Sequence, residues 1–121
     1  MPELKKYKMF INGEWVNSDT EKIFETLNPE NNKPWAVVPE ASASDVDRAV
    51  KAAQNAFEGE WPKLLPKERA RYLRMIGDKL RENAEHLGKI ETIDTGKLYR
   101  ETYKQANYIA EYYDYYAGLA D

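Results

Sequence analysis

The sequence predicts an α+β chain, with strands in front and helices behind. Three observations carry that expectation. All six prolines (positions 2, 29, 34, 39, 62 and 66) fall in the first 66 of 121 residues, and the remainder has none. Proline removes a backbone donor and breaks helices, so the front favours strands and turns and the back favours helix. An Asn-Gly pair lies between two short apolar runs near the start. From Ala41 onward the apolar residues switch to helical spacing.

Taken in order, Met9-Phe10-Ile11, Asn12-Gly13 and Glu14-Trp15-Val16 form a hairpin signal, because Asn and Gly tolerate the positive φ that a two-residue turn needs. A polar stretch, Asn17-Ser18-Asp19, leads to an extended run from Ile23 to Leu27. Asn28-Pro29-Glu30-Asn31-Asn32 reads as a turn, and Trp35-Ala36-Val37-Val38 as a further strand between Pro34 and Pro39. Proline at both ends suits an edge or short strand. Residues 8–38 are thus expected to form an antiparallel β-hairpin and meander, and residues 42–118 the helical part of a single 1–121 segment.

In that helical part, Val46, Ala49, Val50, Ala53, Ala56 and Phe57 follow the i, i+3, i+4, i+7 spacing of one helix face. Ser42 and Asp45 form a capping pair at its start, and Gly59 and Pro62 end it. Pro66 suits a first helical position. The next stripe is Ala70, Leu73, Ile76, Leu80, Ala84 and Leu87, with a break or bend expected at Gly88. Ile90 and Ile93 continue a short helix that Gly96 closes. The last helix is expected from about Glu101 to Ala117, giving three to four helices in all. It holds most of the chain's tyrosine: seven of nine lie between Tyr99 and Tyr116. Ala106, Ile109, Ala110 and Tyr113 mark one face, and Tyr108, Tyr112 and Tyr115 a neighbouring one. That arc is wider than one packing partner needs, and the stripe is expected to be buried packing with hydroxyls at its rim.

Composition removes many functions. Eighteen Lys and Arg against 21 Asp and Glu leave a net charge of −3, and the pI is about 5.3 with a mean hydropathy of −0.81. A nucleic-acid partner would want a basic face, so none is expected. No apolar run approaches the ~18 residues of a membrane span, and Met1-Pro2-Glu3-Leu4-Lys5-Lys6 has no apolar signal core behind it. Neither a membrane partner nor export is expected, so the expected location is cytoplasmic. There is no cysteine, which excludes disulfides, thiolate metal sites and a cysteine nucleophile. His86 is the one histidine, so a histidine metal cluster and a two-histidine mechanism are excluded as well.

The chemical motifs that remain are few. The glycines at 13, 59, 77, 88, 96 and 118 are isolated, so no dinucleotide or phosphate loop is present. There is no Gly-x-Ser-x-Gly elbow, and a hydrolase has no nucleophile–base pair to use. His86, read at the end of the second helix, is a surface or capping residue. Asp45 and Asp47 are explained by their place near a helix start. Glu91 and Asp94 share a helix face and are read as a solvated or capping pair.

Read together, the pieces resemble the NAD(P)-dependent aldehyde dehydrogenase superfamily. The resemblance is carried by Phe10 to Val16, Phe24-Glu25-Thr26-Leu27-Asn28-Pro29, Val38 to Ala43, Asp45 to Val50 and Ala53 to Phe57. It continues through Pro66 to Arg71, Glu91-Thr92-Ile93-Asp94-Thr95-Gly96-Lys97 and Tyr115-Tyr116-Ala117-Gly118-Leu119-Ala120-Asp121, in the family's order. The broad-substrate and betaine-aldehyde or semialdehyde branches look nearest. Leu65 and Leu98 depart from the pattern, standing where the family usually has Ser or Thr and often Pro.

The resemblance implies a fold that is the N-terminal part of a larger α/β protein, whose helices pack on the cofactor-binding domain. It also implies a parent reaction, NAD(P)-dependent oxidation of an aldehyde to a carboxylic acid through a cysteine thiohemiacetal. The nucleophilic Cys, the general-base Glu and the Gly-rich cofactor turn belong to parts of the family that this sequence does not match. No catalytic or cofactor-binding residue is therefore expected here, the chain alone binds no cofactor, and NAD or NADP belongs to the intact enzyme. The partner implied is the remainder of the enzyme, with self-association of the isolated chain. In relatives a monovalent cation sits at positions that here are Thr26, Leu27 and Asp94, and the aldehyde entrance is lined at positions that here are Tyr108 and Tyr112. A second reading makes the chain a free-standing interaction module that docks a partner through its tyrosine-rich helix.

Overall fold

The computed structural model describes residues 4–120. The N-terminal tripeptide and the closing Asp121, both part of runs read above, lie outside the described residues. Two compact units divide the chain between Lys63 and Leu64.

The first unit contains five strands: β1 (Lys5–Lys6), β2 (Met9–Ile11), β3 (Glu14–Val16), β4 (Ile23–Asn28) and β5 (Lys33–Pro39). Helix α1 (Ala43–Glu58) and a 3₁₀ turn at Trp61–Lys63 complete it. The β2–β3 hairpin turns at Asn12 and Gly13, whose φ values are 53° and 81°, as a primed turn requires. Its register places Phe10 opposite Trp15, and their rings meet with centroids 5.0 Å apart. The β4–β5 hairpin closes on Asn28, whose carbonyl accepts from the Asn32 N–H at 2.7 Å. The Asn28 and Asn31 side chains accept from Glu30 N–H and Lys33 N–H at 2.9 and 3.0 Å, completing the turn.

The strands depart from expectation in arrangement. The two hairpins belong to separate sheets, and β1, which periodicity did not predict, adds parallel to β5. The proline-bounded strand β5 is accordingly the middle of three, in the order β1-β5-β4, and not an edge. It tolerates its prolines because they lie where the ladder makes least demand. Pro34 pairs beside a register shift between Thr26 and Leu27, Pro39 is the last residue, and β1 pairs only with Ala36 and Val37.

Helix α1 begins with the expected capping box. The Asp45 N–H donates to Ser42 Oγ at 3.1 Å, and the Ser42 N–H to Asp45 Oδ2 at 3.0 Å. Its apolar face is largely uncovered, with Val46, Val50 and Phe57 all exposed.

The second unit is helical: α2 (Pro66–Glu82), α3 (Ala84–Thr95) and α4 (Tyr99–Leu119). The break between α2 and α3 falls at Asn83, not at Gly88, which lies buried within α3. Asn83 closes α2 with its own amide, Nδ2 donating to the Lys79 carbonyl at 2.9 Å. Gly88 is needed for a different reason. A Cβ there would stand 3.0 Å from the Tyr103 N and 3.1 Å from its Cα, so the glycine lets α4 cross α3 closely. Gly77 does the same for α2, where a Cβ would lie 3.2 Å from the Ala110 carbonyl oxygen.

Close crossing fits a core built of small side chains. Ala70, Ala84, Ala106, Ala110 and Ala117 are the buried apolar residues of this unit, while the largest fully buried side chains in the described residues are Thr102 and Asp45. Thr102 Oγ1 lies 2.9 Å from the Gly88 carbonyl, 3.0 Å from that of Tyr99 and 3.0 Å from Thr92 Oγ1. Its hydroxyl thus knots both ends of the α3–α4 turn. Helix α3 stops at Gly96, in the left-handed region at φ 74°, with its N–H on the Thr92 carbonyl at 2.9 Å.

Candidate functional site

Helix α4 turns two different faces outward and inward. Thr102, Ala106, Ala110 and Ala117 are buried against the other helices, and their spacing places them along one side. Tyr108, Glu111, Tyr112, Tyr115 and Tyr116 fall on the opposite side and line a hollow of about 390 Å³. The four tyrosines are 48–64% exposed, so the stripe is not the buried packing that its apolar character suggested. The alanine side alone satisfies the packing partners present, which leaves the tyrosine side uncovered among the described residues.

Within the hollow, Tyr108 Oη and Tyr112 Oη are hydrogen-bonded at 2.8 Å. The two rings meet edge to face, 5.0 Å apart at 86°. Tyr115 and Tyr116 repeat the arrangement at 5.3 Å and 84°. The Tyr108 hydroxyl holds the Tyr112 phenol above its ordinary value, because ionising either ring places an anion beside its neighbour. Glu111 is the one charged residue of the lining. On the adjoining side of the helix, Asp114 is engaged by Arg81 of α2.

The expected cation ligands divide between the units. Thr26 and Leu27 lie in β4, at its register shift, and Asp94 is exposed in the last turn of α3. Carbonyl and carboxylate oxygens are the donors a hard cation takes. No cluster of three or more His, Asp or Glu that could hold a metal occurs among the described residues. Glu91, paired with Asp94 in the sequence reading, is ion-paired with Lys97 at 2.7 Å. His86 is exposed in the first turn of α3, not at the end of α2, because the helices divide at Asn83.

Asp45 exceeds the capping role read for it. It is 1% exposed, and besides the cap it accepts from Ser18 Oγ at 2.7 Å and from the Asp19 N–H at 3.3 Å. Arg48 also bonds it. The Ser42 backbone N–H, aided by Ser18 and Arg48, holds its carboxyl well below the usual carboxylate range against the opposing effect of burial. The clip fastens the segment after β3 to the start of α1. Only the Ser42–Asp45 spacing was readable; the partnership with Ser18, 27 residues away, had no local signal.

With this geometry in hand, comparison with known proteins is decisive. The model of the aldehyde dehydrogenase family matches residues 15–121. The chain belongs to the aldehyde dehydrogenase family. It is 40% identical over 119 residues to the (Z)-2-((N-methylformamido)methylene)-5-hydroxybutyrolactone dehydrogenase of Acinetobacter baylyi, covering 98% of this chain and 24% of that protein. The Bacillus subtilis betaine aldehyde dehydrogenase is 39% identical over 114 residues, 93% of this chain and 23% of its own. Among solved structures, the Staphylococcus aureus betaine aldehyde dehydrogenase in complex with NAD+ superposes with a TM-score of 0.90 at 39% identity, over 94% of this chain and 23% of its own. An NAD-dependent aldehyde dehydrogenase from Sinorhizobium meliloti gives 0.91 at 30% identity, over 96% and 24%.

The chain therefore spans about a quarter of the length of the aldehyde dehydrogenases it matches. Its strands and helices are the N-terminal part of that fold, as the sequence implied. No helix of the described residues is long and apolar enough to cross a membrane.

Proposed function

We propose that this chain acts as the N-terminal part of an NAD(P)-dependent aldehyde dehydrogenase that oxidises an aldehyde to a carboxylic acid. The observation that carries the reading is a family match from Trp15 to Asp121 in a chain with no cysteine. The parent chemistry needs a thiolate to add to the carbonyl before hydride leaves, and NAD(P), when bound to the intact enzyme, accepts that hydride. This chain's contribution is structural and steric. Its helices cover the cofactor-binding domain, and Tyr108 and Tyr112 wall the aldehyde entrance. Thr26, Leu27 and Asp94 supply oxygen ligands to a monovalent cation that braces the fold. The exposed apolar residues of α1 and the exposed tyrosines of α4 support a role that needs further protein against them. The enzyme is cytoplasmic, and the isolated chain binds no cofactor.

The test is a chimera in which residues 15–121 replace the matching segment of the S. meliloti enzyme. Aldehyde-dependent NADH formation by the chimera, with none from the 121-residue chain, is expected. A chimera that assembles as its parent does and neither binds NAD nor turns over aldehyde contradicts the proposal, and so does NADH formation by the isolated chain.

A further inference from the structure

The hollow on α4 has a chemistry more specific than a wall. Its rings are set as two perpendicular pairs, so they form corners whose ring faces can meet a rounded group, unlike a flat stacking shelf. Its one charged lining residue is the carboxylate of Glu111, and no lysine or arginine lines it. Negative ring faces and a nearby carboxylate attract a diffuse cation that holds its water weakly, and tyrosine is among the better rings for this. A volume of about 390 Å³ lies within the range of small-ligand sites. A nucleobase would also stack on tyrosine, but that mode needs cationic residues along the groove to hold phosphates.

We propose that Tyr108, Tyr112, Tyr115 and Tyr116, with Glu111, form a receiving site for an alkylated ammonium group, so that the enzyme prefers aldehydes carrying such a cation over neutral aldehydes of the same shape. The substrate part of this rests on the entrance reading above; the cation site itself rests on the tyrosine geometry. The hydroxyl pair of Tyr108 and Tyr112 fixes two of the rings, while the cation contact is made by ring faces. The ring, not the hydroxyl, is thus what binding requires at position 112.

The probes are choline and its neutral isostere 3,3-dimethyl-1-butanol, offered to the 121-residue chain and followed by saturation-transfer NMR at the methyl protons. Choline is expected to give a saturable signal and the isostere none. Tyr112→Phe should keep binding, Tyr112→Leu should weaken it by about fivefold or more, and Glu111→Gln should weaken it in the same direction, each with unchanged helix content by circular dichroism. Equal signals from the two probes, no saturable choline signal, or full binding by Tyr112→Leu would overturn the inference. The S. meliloti chimera separates the two readings. Choline binding with an inactive chimera contradicts the enzyme reading and supports the cation site. An active chimera without preference for the cationic aldehyde contradicts the cation site alone.

Discussion

Ser42 and Asp45 hold the start of α1 through two reciprocal bonds, and they answer to different perturbations. Ser42→Ala removes only the hydroxyl half of the capping box, a loss of about 1 kcal/mol, readable as a lower denaturation midpoint at unchanged slope. Asp45 adds a pH dependence. Its folded value lies below the ordinary 3.8, so the unfolded chain takes up the proton first as acid is added. The stabilisation is whole above that ordinary value and drains away as pH falls through and below it. Acid unfolding of the native chain should therefore be steeper below that point than acid unfolding of Asp45→Asn, which is less stable at neutral pH and flatter in acid. Equal slopes for the two would contradict the clip. Thr102→Val keeps the shape of a fully buried side chain and deletes its hydroxyl, so a cost of about 1 kcal/mol is expected in chemical denaturation.

At the scale of elements, the glycines of the helical unit separate two roles. Gly88→Ala drives a Cβ against the Tyr103 backbone, which cannot yield without moving α4, so a destabilisation of about 1–3 kcal/mol is expected. Gly118→Ala meets nothing within 4 Å and gains helix propensity, so it should leave stability unchanged or raise it by up to about 1 kcal/mol. Thermal unfolding of the pair checks both. The same contrast shows what could be read from residues alone. The Asn12-Gly13 turn, the Ser42 cap and the Gly96 stop are local, each signalled by residues within one turn, and each was legible. The division at Asn83, the parallel pairing of β1 and the central place of β5 depend on partners far along the chain. Gly88 looks like a helix breaker in isolation and is a crossing point only because Thr102 and Tyr103 lie against it. For the candidate site, the spacing of Tyr108, Tyr112 and Tyr115 announced a shared face. Its exposure and the inclusion of Glu111 and Tyr116 required knowing which side the alanines had claimed.

For the whole molecule, the balance between covered and uncovered apolar surface decides behaviour. The buried apolar set is almost entirely alanine, whereas Trp15 and Phe57 are 65% and 67% exposed. Apolar surface of that kind drives association, so the purified chain should self-associate, its sedimentation coefficient rising with concentration; a single slow monomer at every concentration would count against this. The family membership explains why such surface persists, since relatives supply about three-quarters more protein of their own length beyond the matched quarter. The most direct measurement mixes this chain with a relative from which the matching segment has been deleted and follows aldehyde-dependent NADH formation. The account predicts activity from the mixture and none from either component, together with loss of the chain's self-association. Activity in the chain by itself, or a stable mixed complex that forms and never turns over aldehyde, would contradict it.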